Sequence, residues 1–131
     1  MLKPTKLDHL ALKVTDMEQS LAFYQHVLGL EIVRRSGPNE AGGYAAVLRA
    51  GQQLLDLFSR PDFVSADKDK PVGMDHLCLQ IDAASIDAVI ADLQQAQVDI
   101  FWGPVERQGH TSVYVYDPDG MHVELRVATP V

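Results

Sequence analysis

Two histidines and two carboxylates stand at matching places in the two halves of the chain. His9 and His76 are 67 residues apart, and Asp56 and Glu124 are 68 residues apart. Imidazole nitrogens and carboxylate oxygens are donors that suit Zn²⁺, Ni²⁺, Fe²⁺, Mn²⁺ and Co²⁺. Two histidines with one carboxylate also leave open positions around such an ion for a substrate. The residue types therefore predict a divalent-metal site, with the identity of the ion left open.

The spacing of these residues follows from an internal repeat. Residues 7–14 and 74–81 share the pattern apolar-Asp-His-Leu-x-Leu-x-apolar at an offset of 67, and later segments match at 68. We interpret the change of offset as a one-residue slip inside a helix. Such self-similarity indicates a duplicated unit. The repeats cover about 7–60 and 74–127 of a single domain, 1–131, and a polar, proline-flanked linker covers about 61–73.

Each repeat reads as a strand, a helix and three more strands. The helices carry apolar residues at helical spacing, with Val89 or Ile90 among the core residues of the second. Thr15 to Glu18 has capping-box spacing, Gly29 suits the first helix's C-terminal end, and Asp82 or Ser85 begins the second. The predicted strands are 7–14, 30–36, 43–49 and 53–60, then 74–81, 99–103, 111–117 and 121–127, with helices at 16–28 and 83–96.

Strand periodicity then sorts the side chains by face, because residues two apart lie on the same side of a strand. His9 and Asp56 lie opposite apolar neighbours, and His76 and Glu124 do the same in the second repeat. The apolar faces must be covered by the helices. The sequence therefore predicts an α+β fold of two βαβββ modules, which form a cupped mixed sheet with helices on the outer face and the four candidate ligands on the concave side.

Composition narrows the class of partner and the compartment. The chain has 131 residues, 18 acidic and 11 basic, so its net charge of −7 argues against a nucleic-acid partner. One cysteine, Cys78, excludes an internal disulfide and favours a cytoplasmic location. We expect no membrane partner, because no apolar run approaches the roughly 18 residues that a membrane helix needs.

The segments 7–12, 20–31, 74–77 and 117–125 resemble the vicinal oxygen chelate superfamily, which comprises glyoxalases, bleomycin-resistance proteins and extradiol dioxygenases. The resemblance implies two βαβββ modules around a metal, with His9, His76 and Glu124 as ligands. Asp56 stands near a fourth carboxylate position that is usually Glu in glyoxalase I. Many such small chains pair modules between two subunits, so the resemblance also implies a homodimer.

The leading hypothesis is a divalent-metal-dependent enzyme that chelates two adjacent oxygens of a small, oxygen-rich substrate. In a glyoxalase-like or epimerase-like version, Glu124 is the catalytic residue and moves a proton. An extradiol-type dioxygenase with Fe²⁺ is another enzymatic version, and the acidic second half argues against a third, a thiol transferase that resembles fosfomycin-resistance enzymes. The alternative is a drug-binding or metabolite-binding resistance protein without catalysis. We expect Trp102 and Tyr116 to pack and Cys78 to be a small buried side chain, and the candidate substrate-lining residues are Phe58, Tyr114, His122 and Arg126.

Overall fold

Each half of the chain folds into a four-stranded sheet with one helix. The computed structural model describes residues 1–62 and 74–129, and the chain divides into two units, Met1–Ser65 and Ala66–Val131. Most of the predicted linker, from residue 63 onward, lies outside the described residues. No helix in the described ranges is long and apolar enough to cross a membrane.

The first unit is a βαβββ module. Its strand β1 runs parallel to β4, and β4, β3 and β2 are antiparallel neighbours, so the strand order is β1-β4-β3-β2. The helix α1 continues directly into a π-helical segment. The elements are β1 (His9–Val14), α1 (Met17–Leu21), the π-helical segment (Ala22–Val27), β2 (Glu31–Ser36), β3 (Tyr44–Ala50) and β4 (Gln53–Ser59).

The second unit repeats this topology. Its strand order is β5-β8-β7-β6, with β5 parallel to β8 and the remaining pairs antiparallel. The predicted fold class of two βαβββ modules with mixed sheets is therefore confirmed. The second strand of this unit extends well beyond the predicted residues 99–103. The elements are β5 (Leu77–Gln80), α2 (Ile86–Gln95), β6 (Ile100–Arg107), β7 (His110–Tyr116) and β8 (His122–Ala128).

One face of each sheet is apolar and packs against the helix of its own unit. In the first unit α1 contacts β4, and Met17, Leu21 and Leu57 are buried. In the second unit α2 contacts β7, and Val89 and Leu93 are buried. Because side chains alternate along a strand, burying these faces leaves the opposite faces to the polar residues. The helices thereby determine which face of each sheet can carry chemistry.

The helix ends refine two predictions. The first helix begins after Asp16, whose carboxylate accepts a hydrogen bond from the Gln19 amide, and the second begins after Ser85. The offset rises from 67 at the histidines to 69 at Met17 and Ile86, so it changes before the helix and not only inside it, where we predicted the slip. The helical part of the first unit is one residue longer, because a wide turn, in which the Leu28 amide donates to the Phe23 carbonyl, absorbs the extra residue.

Candidate functional site

In the first unit the parallel pairing of β1 with β4 brings a histidine and a carboxylate together. Ala11 is paired with Asp56, and His9 lies two residues before Ala11 on the same face of the sheet. The His9 Nε2 atom is 3.8 Å from an Asp56 carboxylate oxygen. The Asp56 side chain is mostly buried, whereas the His9 ring is half-exposed. This pair is one half of the predicted ligand set.

The second unit repeats the arrangement in the same register. Cys78 is paired with Glu124 across the parallel strands β5 and β8, and His76 lies two residues before Cys78. The His76 Nε2 atom is 3.2 Å from Glu124 Oε1. Glu124 is buried, with 7% of its surface exposed, so its carboxylate is the more enclosed of the two. The structure thus gives each unit one histidine–carboxylate pair, which we call the His9 pair and the His76 pair.

Sequence reasoning missed two aspartates that orient these histidines. The Nδ1 atom of His9 is 2.9 Å from an Asp8 carboxylate oxygen, and that of His76 is 2.7 Å from Asp75. A carboxylate on one ring nitrogen fixes the tautomer and directs the other nitrogen to a metal. The signal was present in the sequence, because an Asp-His dipeptide stands in both repeats.

The contacts of the two rings fit a cation at each Nε2. A neutral imidazole that donates its Nδ1 proton to Asp8 or Asp75 presents a bare lone pair at Nε2. That lone pair faces an acceptor oxygen of Asp56 or Glu124. An imidazole nitrogen and a carboxylate oxygen that are both acceptors attract each other only when a proton or a metal ion lies between them. The pKa of His9 is raised, chiefly by the hydrogen bond to Asp8 and further by the charge of Asp56.

Glu124 is held as a carboxylate by its neighbours on β7. Burial alone would raise its pKa, but hydrogen bonds from Ser112 and Tyr114 and the positive charges of His76 and Arg107 outweigh burial and lower it. The Ser112 hydroxyl donates to Glu124 Oε2 at 2.7 Å, while Oε1 faces His76. Glu124 is therefore ionised at neutral pH, with one oxygen anchored and the other directed to the imidazole.

Aromatic rings surround Glu124 on the same face of the second sheet. Tyr114 is paired with Glu124, and the Trp102 ring stacks on Tyr114 at 4.5 Å between ring centroids. Phe101 stacks on Tyr116 at 4.1 Å and also contacts His122 at 4.9 Å. We call these four aromatic side chains, Phe101, Trp102, Tyr114 and Tyr116, the ring surface.

The other predicted lining residues differ in their settings. Tyr114 is buried under Trp102, and His122 contacts Phe101 and Tyr116. Arg126 is partly buried on the face that carries Glu124, and its Nε is without a hydrogen-bond partner among the described residues. Phe58 is exposed on β4, in the first unit.

One expectation about a buried side chain was wrong. Cys78 is exposed, on the face of the second sheet that also carries Glu124. Trp102 and Tyr116 do pack against other rings, yet they remain 50% and 37% exposed. Their outer surfaces therefore add apolar area beside the His76 pair.

Each unit by itself supplies two donors, fewer than a protein-bound transition-metal ion usually has. Within residues 1–62 and 74–129, no group of three or more His, Cys, Asp or Glu side chains is arranged to hold a metal ion. Structural zinc sites have four protein ligands and catalytic ones three.

Comparison with known proteins identifies the family. The model of the Glyoxalase/Bleomycin resistance protein/Dioxygenase superfamily matches residues 6–125, and the chain belongs to this superfamily. A virulence protein of Salmonella typhimurium is 33% identical over 92% of this chain and 82% of its own length. Lactoylglutathione lyase of Neisseria meningitidis is 29% identical over 92% of this chain and 88% of its own, and the mitochondrial methylmalonyl-CoA epimerase of Homo sapiens is 26% identical over 94% and 74%.

Solved structures share the fold as well. A glyoxalase/dioxygenase from Nostoc punctiforme superimposes with a TM-score of 0.82 at 28% identity, and the match covers 99% of this chain and 97% of that one. The Salmonella typhimurium virulence protein superimposes with a TM-score of 0.71, covering 98% of this chain and all of that one. The superfamily thus includes enzymes with different names, and membership alone does not select a reaction.

Proposed function

We propose that the protein is a divalent-metal-dependent enzyme that acts on a small substrate with two adjacent oxygens. His9, His76 and Glu124 hold the ion, with Asp56 as a fourth donor, and the two units combine either within one chain or between the two chains of a homodimer. When bound, the ion supplies Lewis-acid stabilisation of negative charge on the substrate. A cytoplasmic location remains part of this proposal.

The observation that carries the proposal is the duplicated geometry of the His9 and His76 pairs. Both rings are bound at Nδ1 by the preceding aspartate, and both Nε2 atoms face a carboxylate. A lone histidine on a strand usually has a structural role. Two rings with the same pair of acidic neighbours at repeat-related positions are instead explained together by coordination of one ion.

Glu124 is the residue best placed to move a proton. Its Oε2 is anchored by Ser112 and its pKa is lowered by hydrogen bonds and nearby positive charge despite burial, so it is present as a base at neutral pH. Epimerisation requires that a proton leave a carbon and return to it. The names of the epimerase and lyase relatives therefore favour the isomerase or lyase version over ring cleavage by a dioxygenase.

The alternative is a binding protein without catalysis, and the exposed part of the ring surface favours it. Trp102 and Phe101 expose 50% and 37% of their surfaces, which gives a ligand apolar area to contact. The two functions differ in their dependence on metal. A sequestering protein of this kind binds its ligand equally well after chelation, whereas the proposed enzyme does not.

The test starts with the metal content of the purified protein and of three variants. His9→Ala and Glu124→Ala should lose the ion, whereas His26→Ala, which changes an exposed histidine away from the His9 pair, should retain it. Unchanged metal content in His9→Ala and Glu124→Ala would refute the ligand assignment.

Catalysis is tested next with the metal-loaded protein. The test compounds are 2-hydroxyketones and the adducts that thiols form with 2-oxoaldehydes. Deuterium from the solvent should be incorporated at the carbon next to the carbonyl group, and chelation of the metal should abolish this exchange. Oxygen uptake with catechols after anaerobic Fe²⁺ loading would instead support the dioxygenase version. Ligand binding that survives chelation, without any turnover, would favour the binding protein.

A further inference from the structure

A break in the regular pairing of β6 with β7 places two consecutive aromatic residues on one face of the second sheet. The register shifts between Ile100 and Trp102. Neighbouring residues on a regular strand point to opposite faces, yet Phe101 stacks on Tyr116 and Trp102 stacks on Tyr114. Tyr114 and Tyr116 are two residues apart and so share a face. A bulge next to a functional site is a common way to redirect a side chain.

The resulting ring surface is joined to the His76 pair. Tyr114 donates a hydrogen bond to Glu124, and its ring centroid is 6.2 Å from that of His76. Trp102 covers Tyr114, and the Arg107 guanidinium carbon lies 5.5 Å from the centroid of the Trp102 ring. A ligand held by His76 and Glu124 therefore lies beside stacked rings that carry a cation at their margin.

We propose that this ring surface binds a planar aromatic group of the ligand. The ligand class is a small molecule in which a group that carries two adjacent oxygens is joined directly to an aromatic ring. In nucleic-acid complexes, stacking of one base on an aromatic side chain contributes about 1–3 kcal/mol. This free energy corresponds to roughly 5-fold to 150-fold in affinity. The inference rests on the proposed metal site and specifies the class of substrate that the site accepts.

The polar groups within this face favour a small ligand over a protein partner. Glu124 and His76 lie beside the rings, and the Glu124 carboxylate accepts a hydrogen bond from Ser112 and faces His76 at 3.2 Å. A protein that covered the rings would also have to bury this charge, which is costly unless the charge is paired. A chelating ligand that arrives with a cation neutralises the carboxylate and contacts the rings at the same time.

The first unit has no comparable surface at the equivalent positions. Val47 is paired with Asp56 where Tyr114 is paired with Glu124, and Arg34 is paired with Val47 where Trp102 is paired with Tyr114. Phe58 is the one aromatic residue of β4. We therefore assign recognition of the ligand's aromatic ring to the second unit. Substitutions in its ring surface should change which ligand the protein prefers.

Two hydroxamates with the same chelating head provide the test. Benzohydroxamate and acetohydroxamate differ in a phenyl ring against a methyl group, and titration calorimetry of the Zn²⁺-loaded protein gives an affinity for each. After correction for their affinities for the free ion, benzohydroxamate should bind at least about tenfold more tightly. It should also change the fluorescence of Trp102, which is the only tryptophan in the sequence.

The variants determine whether the rings cause this preference. Trp102→Leu and Phe101→Leu should each reduce the ratio of the two affinities to within about threefold, while acetohydroxamate binding stays within about twofold of the wild type. Tyr44→Leu, which changes a tyrosine of the first unit that is 37% exposed, should keep the full ratio. The Phe101 variant also serves if Trp102→Leu does not fold.

The outcomes separate this inference from the proposed function. If acetohydroxamate and benzohydroxamate bind equally, or if the ratio is unchanged in both variants, the ring surface does not select the ligand. If neither compound binds the Zn²⁺-loaded protein, the metal-dependent function itself is wrong, and so is the ligand class derived from it. If iodide quenches Trp102 only after the protein is diluted, a second copy covers the rings and the inference is overturned.

Discussion

The two units place the same histidine–carboxylate pair in the same register but surround it differently. Asp56 is paired with Val47, whose side chain has no donor group, whereas Glu124 is paired with Tyr114 and also accepts from Ser112. The histidine–carboxylate distance is 3.8 Å in the His9 pair and 3.2 Å in the His76 pair. The difference shows that strand pairing determines where a ligand lies, whereas the neighbouring strand determines how firmly and in which ionisation state it is held.

The largest effect is expected from exchanging the two carboxylates for amides. Glu124→Gln should weaken Zn²⁺ binding by more than about 100-fold. Substituting a residue that hydrogen-bonds to a metal ligand typically lowers metal affinity by about 10-fold to 100-fold, and loss of a ligand should cost more. Asp56→Asn should cost about tenfold, because Asp56 is shorter and farther from its histidine. A competition assay with a chromophoric chelator measures both.

Asp92→Asn on the exposed face of α2 is the matched control for this pair of variants and should bind Zn²⁺ as the wild type does. Equal losses in Glu124→Gln and Asp56→Asn would show that the difference in their surroundings has no bearing on the ion.

The aspartates behind the histidines should have the next largest effect. Asp8→Asn and Asp75→Asn should each lower Zn²⁺ affinity by about 10-fold to 100-fold, because they direct the ring nitrogen toward the ion. In the metal-free protein the hydrogen bond to Asp8 is the main cause of the raised pKa of His9. The pKa of His9 should therefore fall in Asp8→Asn, as followed by histidine proton shifts in an NMR titration. A His9 titration that is unaffected by this variant would contradict the role of Asp8.

A glycine at the break in β6 tests what maintains the ring surface. Gly103 has φ +105°, and a Cβ there would lie 2.7 Å from the Ser112 carbonyl oxygen. Gly103→Ala should lower the free energy of unfolding by about 2 kcal/mol, since backbone strain and a backbone clash act together.

Gly109 separates these two causes, because it has φ +87° but no atom within 4 Å of its would-be Cβ. Gly109→Ala should cost about 1 kcal/mol in urea unfolding. If Gly103→Ala costs no more than Gly109→Ala, the close approach of Ser112 has no energetic consequence.

The smallest effect concerns the ends of the two helices. Gly29 and Gln97 are repeat-related residues that follow the helices, with φ +78° and +59° respectively. The amides of Gln97 and Val98 donate to the carbonyls of Gln94 and Leu93, which is the Schellman arrangement. Gln97→Gly should therefore stabilise the protein by about 0.5–1 kcal/mol, whereas Gly29→Ala should destabilise it by about 1 kcal/mol. A destabilised Gln97→Gly in thermal unfolding would contradict this reasoning.

Much of the architecture could be predicted because the sequence contains an internal repeat and also alternates apolar and polar residues along its strands. The internal repeat predicted the βαβββ module. The alternation along the strands predicted that the candidate ligands lie on the faces opposite the helices, namely His9, Asp56, His76 and Glu124. The predicted slip inside the helix was only part of the change of offset, because the second unit also has two more residues between its histidine and its helix.

The ring surface could not be predicted from these patterns. Regular alternation puts Phe101 and Trp102 on opposite faces, and the register shift that brings them together depends on the pairing of β6 with β7. The hydrogen bond from Ser112 to Glu124 also joins residues of different strands. In contrast, Asp8 and Asp75 could have been predicted from the sequence, because an aspartate directly precedes the candidate ligand histidine in both repeats.

X-ray absorption spectroscopy of the Zn²⁺-loaded protein tests the central claim most directly. If each unit gives one imidazole and one carboxylate to a single ion, the spectrum of the wild type will show two imidazoles per zinc. His9→Ala and His76→Ala will each show one imidazole, in any protein that still binds the ion. One imidazole per zinc in the wild type, or a spectrum that neither substitution changes, would contradict the shared ion.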